Sequence, residues 1–283
     1  MGAERVGAVV LTIDAGNGSL KAALWSRPAA GRDDGAALVG AALANATPLA
    51  TLRAAWIDAD LEARLADLAA RASVALVACV AGPRARARLD AALERAGRVD
   101  ATPDHGLDLS ACRRTETIGV DRLWAARAAV ALTGGAACLV VDAGTAVTVD
   151  AVGPGARFCG GAIALGLAAT ARALAGEGAG LFAVEVAGVD PAQVPALGRE
   201  SAEALRAGAV HGVRGAVCEL AARVAREAGL ADDAPRLVGG GDAGLLLAAP
   251  AVVPRAQHAP DLVHRGLLAA YLEAAGRAGE STR

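Results

Sequence analysis

The sequence predicts an α/β protein made of two similar domains in tandem, and three observations lead there. Strand-like apolar runs alternate with helix-like stretches along most of the chain. A unit of apolar run, Asp-Ala-Gly turn and second apolar run occurs twice, at Asp14 and again at Asp142. The chain has 283 residues, 54% of them apolar, enough to fill one large core or two medium ones.

The elements follow in order. VVLTIDAGNGSLKAAL opens the chain as a strand, a turn and a returning strand. Residues 48–57 read as a strand, 59–71 as a helix, 73–81 as a buried strand and 84–96 as an Arg-rich amphipathic helix. The polar stretch TPDHGLDLSACRRTET, 102–117, has no clear period and is the best linker, which divides the chain into domains 1–117 and 118–283. A helix over 121–132 follows, then the second hairpin, CLVVDAGTAVTVDAV, and a third strand, ARFCGGAIALG, ending at Gly166. Helices starting near 167 and 200, a short strand PRLVGGG and a final helix over 261–275 complete the chain.

Composition excludes several classes. Charged residues are 20% and the net charge is -2, so there is no basic field to neutralise nucleic-acid phosphates. The longest apolar runs, such as 136–141 and 244–253, fall short of the roughly 20 residues that span a bilayer. The N-terminus runs from a Glu and an Arg straight into a strand without a cleavage site, which reads as a mature, cytoplasmic protein. Five cysteines, odd in number and without a CxxC pair, indicate neither a disulfide framework nor a zinc site. The four histidines are equally scattered.

Among 28 basic side chains one is a lysine, Lys21, and 27 are arginines. It lies in IDAGNGSLKA, on the returning strand seven residues after Asp14. An Asp-x-Gly turn between strands lets backbone approach a ligand, offers amides to an anion, and places a carboxylate where it can hold hydrated Mg2+ against phosphates. A tight turn alone also uses Asp and Gly; two copies in the same context favour a shared phosphate role. Lys21 reads equally as a solvated strand residue or as a compact charge on a phosphate, a task for which Arg is a poor substitute. In TIGVDRLWAARAA, Asp121 either opposes the dipole of its helix or serves as a base, with Arg122 orienting an acceptor. The glycines of PRLVGGGDAG make either a bare surface for a base or ribose or a tight strand-to-helix turn. No GxGxxG follows the first strand, so a dinucleotide site of that kind is disfavoured.

Together these motifs resemble the type III pantothenate kinases, members of the acetate and sugar kinase, heat-shock ATPase and actin superfamily. The family's DxGNTxxK is similar to Asp14–Lys21, its GxDR to Gly119-Val120-Asp121-Arg122, and its DxGTAxTxD to Asp142–Asp150. GGxIxPG appears as Gly160–Gly166, TGGDA as Gly239–Ala243, and LxxRGL as Leu262–Leu267. Six motifs in order, from about Val9 to Ala275, cover nearly the whole chain.

The resemblance implies two ribonuclease-H-like domains with a nucleotide cleft between them. It also implies ATP-dependent phosphorylation of the primary hydroxyl of pantothenate, the first step of coenzyme A synthesis. By position, Asp14, Gly16, Asn17, Gly18, Ser19, Lys21, Thr145, Gly240 and Gly241 bind ATP, and Asp14 also holds Mg2+. Asp142 binds a monovalent cation, K+ or NH4+. Asp121 is the catalytic proton acceptor, and Cys112, Gly119, Val120, Asp121, Arg122 and Ser201 contact pantothenate. A homodimer is implied, with the site completed near the subunit interface.

Four positions depart from the family pattern. The Thr after DxGN is Gly18, the Pro of GGxIxPG is Leu165, a helix Thr on the acceptor side is Ser201, and the acceptor-side Tyr is Cys112, which has neither ring nor phenol. Cys112 and Gly18 motivate a second reading, a kinase of the same fold for another small hydroxy acid; a third, of a different class, is a non-catalytic nucleotide-binding regulator.

Overall fold

The structure, a computed structural model, describes residues 8–27, 36–178 and 180–280. The first seven residues, on which the expectation of a mature start partly rests, lie outside them. The chain forms two compact units. Among the described residues the first runs to Leu107, takes in Arg114–Gly135 and resumes at Val263; the second comprises Asp108–Arg113 and Ala136–Leu262.

In the first unit β1 (Val9–Ala15) and β2 (Ser19–Ser26) form the opening hairpin, and β3 (Ala50–Ala55) continues the antiparallel meander. β4 (Val74–Cys79) lies parallel to β1 on its other side, giving the order β3-β2-β1-β4. Alternation along β1 sends Leu11, Ile13 and Ala15 to one face, where they pack with α2 (Leu61–Ala70) and α3 (Pro83–Arg95) through Leu65, Leu89 and Leu93. Val10 takes the other face, packed with α1 (Ala36–Asn45), α4 (Val120–Leu132) and α8 (Leu262–Glu280) through Leu43, Trp124 and Leu267. Two glycines let these helices approach at backbone distance: a Cβ at Gly40 would overlap the Ala131 carbonyl, and one at Gly266 the Trp124 carbonyl. On the same face Trp25 Nε1 donates to Thr12 Oγ1 at 2.7 Å, and that oxygen lies 2.8 Å from His264 Nδ1. This buried polar cluster ties β1 and β2 to α8 two residues before Asp14.

The second unit repeats the plan. β5 (Cys138–Ala143), β6 (Ala146–Gly153) and β7 (Arg157–Leu165) form an antiparallel meander, with β8 (Arg236–Gly239) parallel to β5 and β9 (Gln257–His258) parallel to β8. The order β7-β6-β5-β8-β9 is that of the first sheet with a fifth strand added. α5 (Leu167–Gly176), the 27-residue α6 (Ser201–Glu227) and α7 (Ala243–Leu247) cover one face, around Leu139, Val141, Val149, Leu167, Val210 and Val238. Both units thus have the ribonuclease-H-like sheet, and the α/β class follows.

The units do not divide at 117/118. α4 and α8 belong to the first because their apolar faces complete the core on the Val10 side of its sheet. Part of the expected linker joins the second unit instead. Asp108 pairs in parallel with Arg157 at the free edge of β7, through Phe158 N to Asp108 O at 2.9 Å and Asp108 N to Ala156 O at 3.1 Å.

Candidate active site

The β1–β2 register sets Asp14 directly opposite Lys21, so their side chains share a face of the sheet. Lys21 Nζ donates to Asp14 Oδ2 at 3.1 Å, with the carboxylate side chain 11% exposed and the lysine 33%. The single lysine of the chain is therefore the partner of a nearly buried carboxylate. In the turn, Gly16 N donates to Ser19 O at 3.1 Å, and Asn17 and Gly18 are exposed. Among the described residues nothing requires glycine at 16: its φ is not left-handed, and a Cβ there would make an ordinary 3.5 Å contact with Ser19 O.

Asp14 continues the Val10, Thr12 row toward α4, whose first turn carries Asp121. The side chain of Asp121 folds back so that Oδ1 accepts from Arg122 N at 2.8 Å and sits beside Gly119, where a Cβ would crowd it. Burial pushes its carboxyl above the ordinary aspartate value, and the negative charge of Asp14 pushes it further; the Arg122 amide and guanidinium oppose both. Asp14, paired with a cation, thus acts by its charge on Asp121, whose carboxyl lies above the ordinary aspartate value. A carboxyl raised in this way suits a proton-accepting group. Gly119, Val120 and Arg122 stand with Asp121 at the start of α4, where Val120 is 37% exposed.

In the second unit Asp142 occupies the position in β5 that Asp14 has in β1. It pairs across to Thr148 and lies beside Gly239 of β8. Gly144, like Gly16, has room for a Cβ and an unstrained φ, while Thr145 is exposed at the turn. Two other glycines hold this turn from behind. Gly166 N donates to Thr145 O at 3.0 Å, and a side chain there would strike the Gly144 carbonyl. Gly240 has φ +90° and leaves no space against the Ala143 backbone, while Asp242 N donates to Ala143 O at 2.9 Å. Gly240 is therefore packed behind the Asp142 turn, while Gly241 is exposed. Burial raises the Asp242 carboxyl above its ordinary value.

Ser201 is exposed at the first position of α6. Cys112 belongs to the second unit, and its thiol donates to Phe158 O at 3.6 Å. Among the described residues no three His, Cys, Asp or Glu side chains cluster as metal ligands. A cation here would rest on a single carboxylate together with water and phosphate, which is how Mg2+ is commonly held. Asp14 fits that donor set.

The sequence reading missed Trp56. Its Nε1 donates to Gly16 O at 2.7 Å. No local pattern marks it, because the contact depends on the β2–β3 register, which brings the end of β3 beside the start of β2. Gly166 was quoted within a motif, but its packing on the second turn shows only in three dimensions.

Two ribonuclease-H-like units, each with an Asp-Gly hairpin between its first two strands, define the fold class. Its backbone is shared with a Campylobacter jejuni protein described as a Baf family transcriptional activator, at TM-score 0.55 and 18% identity over 94% of this chain and 98% of that one. Component A of Acidaminococcus fermentans (R)-2-hydroxyglutaryl-CoA dehydratase shares it at TM-score 0.50 and 13% identity, over 95% of this chain and all of that one. At these identities the likeness is one of fold. Within that class the family model of type III pantothenate kinase matches residues 10–223, and the chain belongs to that family. It is 39% identical over 162 residues to a type III pantothenate kinase of Streptomyces griseus, covering 57% of this chain and 58% of that one. It is 41% identical over 152 residues to one of Akkermansia muciniphila, covering 53% and 58%. The chain thus spans a little over half the length of the curated relatives it matches.

Proposed function

We propose that this protein is an ATP-dependent pantothenate kinase, forming 4'-phosphopantothenate in the first step of coenzyme A synthesis. The observation that carries the reading is the Asp14–Lys21 pair beside Asp121, whose carboxyl burial raises, on one face of the first sheet, in a chain of this family. The pantothenate hydroxyl oxygen attacks the γ-phosphorus, the bond to the β-phosphate oxygen breaks, ADP leaves, and the hydroxyl proton passes to Asp121. Phosphoryl transfer asks the protein mainly for positioning and charge neutralisation. Lys21 supplies a compact charge; the Gly16–Ser19 turn and Thr145 hold phosphates; Gly240 and Gly241 face the adenosine. Gly119, Val120, Arg122, Cys112 and Ser201 contact the acceptor. Mg2+ on Asp14 would neutralise phosphate charge, and K+ or NH4+ on Asp142 would do so in the second unit.

Gly16 and Gly144 support this assignment, since both have room for a side chain that nothing among the described residues forbids. Measured ADP release with pantothenate, Mg2+ and K+ tests it; no pantothenate-dependent turnover would remove it. The second reading, a kinase of another small hydroxy acid, is favoured by Cys112, whose thiol is turned to a backbone carbonyl where the family has a phenol. A panel of hydroxy acids compared by kcat/KM separates the two.

We place the enzyme in the cytoplasm, where ATP is available. Five cysteines without a disulfide suit a reducing compartment. Among the described residues no helix is long and apolar enough to cross a membrane. A homodimer is supported by apolar side chains left exposed on the edge strand β7, Ile163 and Leu165.

A further inference from the structure

The turn that carries Gly16 is braced by a side chain no motif includes. Trp56 follows β3, is partly buried against the Leu11–Leu89 core, and gives its one polar atom, Nε1, to the Gly16 carbonyl at 2.7 Å. Its own backbone is pinned from two sides. Asp58 accepts from Ala55 N at 3.0 Å and donates its amide to Ala55 O at 3.1 Å, closing the turn around Trp56. From α3, Arg88 donates to the Trp56 carbonyl, to Asp58 O at 3.1 Å, and with two nitrogens to Glu62 of α2. The Arg88 bond holds the Glu62 carboxyl down to about 2, so the clamp stays charged across any working pH.

The consequence lies on the other side of the peptide. In a trans peptide the C=O and the N–H point opposite ways. Fixing Gly16 O toward the indole therefore directs the Asn17 N–H away from it, to the exposed side of the turn. That amide donates to no described residue. We propose that Trp56 is a positioning residue of the first hairpin: its indole N–H fixes the Gly16 carbonyl and so aims the Asn17 amide at a nucleotide phosphate. This rests on the ATP-binding reading of the hairpin and names the group that orients it.

The test is Trp56→Phe, which retains an aromatic ring and loses the N–H. Binding of ATP and of adenosine is measured by calorimetry, alongside kinetics and thermal melting. Loss of one oriented hydrogen bond predicts ATP binding weakened by about three- to tenfold, a matching rise in KM for ATP, kcat within about twofold, and unchanged adenosine affinity. A merely packing role would not separate ATP from adenosine. Equal ATP affinity in the variant and the wild type overturns the proposal. If Phe lowers Tm by more than about 4 °C, β-(3-benzothienyl)alanine at 56, which keeps the fused ring and replaces N–H by sulfur, decides by the same readouts. Wild-type protein that does not bind ATP at all overturns the nucleotide reading itself, and this inference with it.

Discussion

Asp121 carries two opposed demands. To take a proton it must be ionised, yet burial and the nearby Asp14 charge make ionisation unfavourable and raise its pKa. A carboxyl with a raised folded-state pKa binds its proton more tightly folded than unfolded. Stability therefore falls as pH rises from the unfolded value toward the folded one, and the deficit persists above it. Asp121→Asn removes the charge in nearly the same volume. Turnover should fall by about 10²- to 10⁴-fold, while ATP affinity is retained and Tm at neutral pH holds or rises by a few degrees. Wild-type turnover in this variant would take Asp121 out of the reaction. In the wild type, kcat/KM should fall on the acid side as Asp121 becomes protonated, with a midpoint above that of an ordinary aspartate. The same profile in Asp121→Asn would assign the limb elsewhere. Lys21 makes a different demand, for shape rather than charge. Its ammonium reaches Asp14 directly across the hairpin; a planar guanidinium presents a wider fork to the same carboxylate. Lys21→Arg should cost at least about tenfold in kcat/KM, about 1.4 kcal/mol, with an unchanged circular dichroism spectrum. Full activity would make the lysine an accident of composition.

At the scale of the element, the glycines of the two hairpins divide by what they serve. Gly240 combines a left-handed φ of +90° with close contact to the Ala143 backbone, so Gly240→Ala strains the turn and displaces β5. Its stability should fall by about 2 kcal/mol or more. Gly16 has neither constraint, and Gly16→Ala should leave Tm level or slightly raised through lower unfolded-state entropy, while ATP binding weakens. Paired melting curves and ATP titrations check both, and weak ATP binding with a lowered Tm in Gly16→Ala would refute the division. These elements also show what the sequence could and could not reveal. Both hairpins, β3, β4, α2 to α4 and the start of α6 were legible, because strand alternation, turn residues and amphipathic spacing are local. α1 was not: AALVGAALAN is apolar throughout and has no polar face to betray its period. Helix α1 exists because Gly40 lets it lie on α4, a contact some 90 residues away in sequence. Asp14, Lys21 and Asp121 were legible as residue types in motifs; their shared face, and the raised pKa that follows, required the sheet register and the packing of α4.

For the whole molecule, the unit boundaries and the assembly are the parts least written in local pattern. The polar 102–117 stretch reads as a linker, yet residues 108–113 belong to the second unit and Asp108 pairs with the edge of β7 by backbone hydrogen bonds, which composition does not record. Past that contact the same strand leaves Ile163 62% and Leu165 55% exposed, two residues apart and so on one face. A free strand edge with apolar side chains invites pairing, and natural edges of this kind are usually covered. In a chain of 27.8 kDa with a net charge of only -2, long-range repulsion between copies is weak. If a second copy provides the cover, light scattering at micromolar concentration should give about twice the chain mass. Ile163→Asp with Leu165→Asp should return the protein to one chain mass by placing like charges where the two copies meet. Because neither residue belongs to the Asp14–Asp121 group, ATP binding by that monomer should survive even where pantothenate turnover is lost. A wild-type protein that already scatters as a single chain would leave these side chains without that role, and would require the acceptor contacts to be completed within one chain.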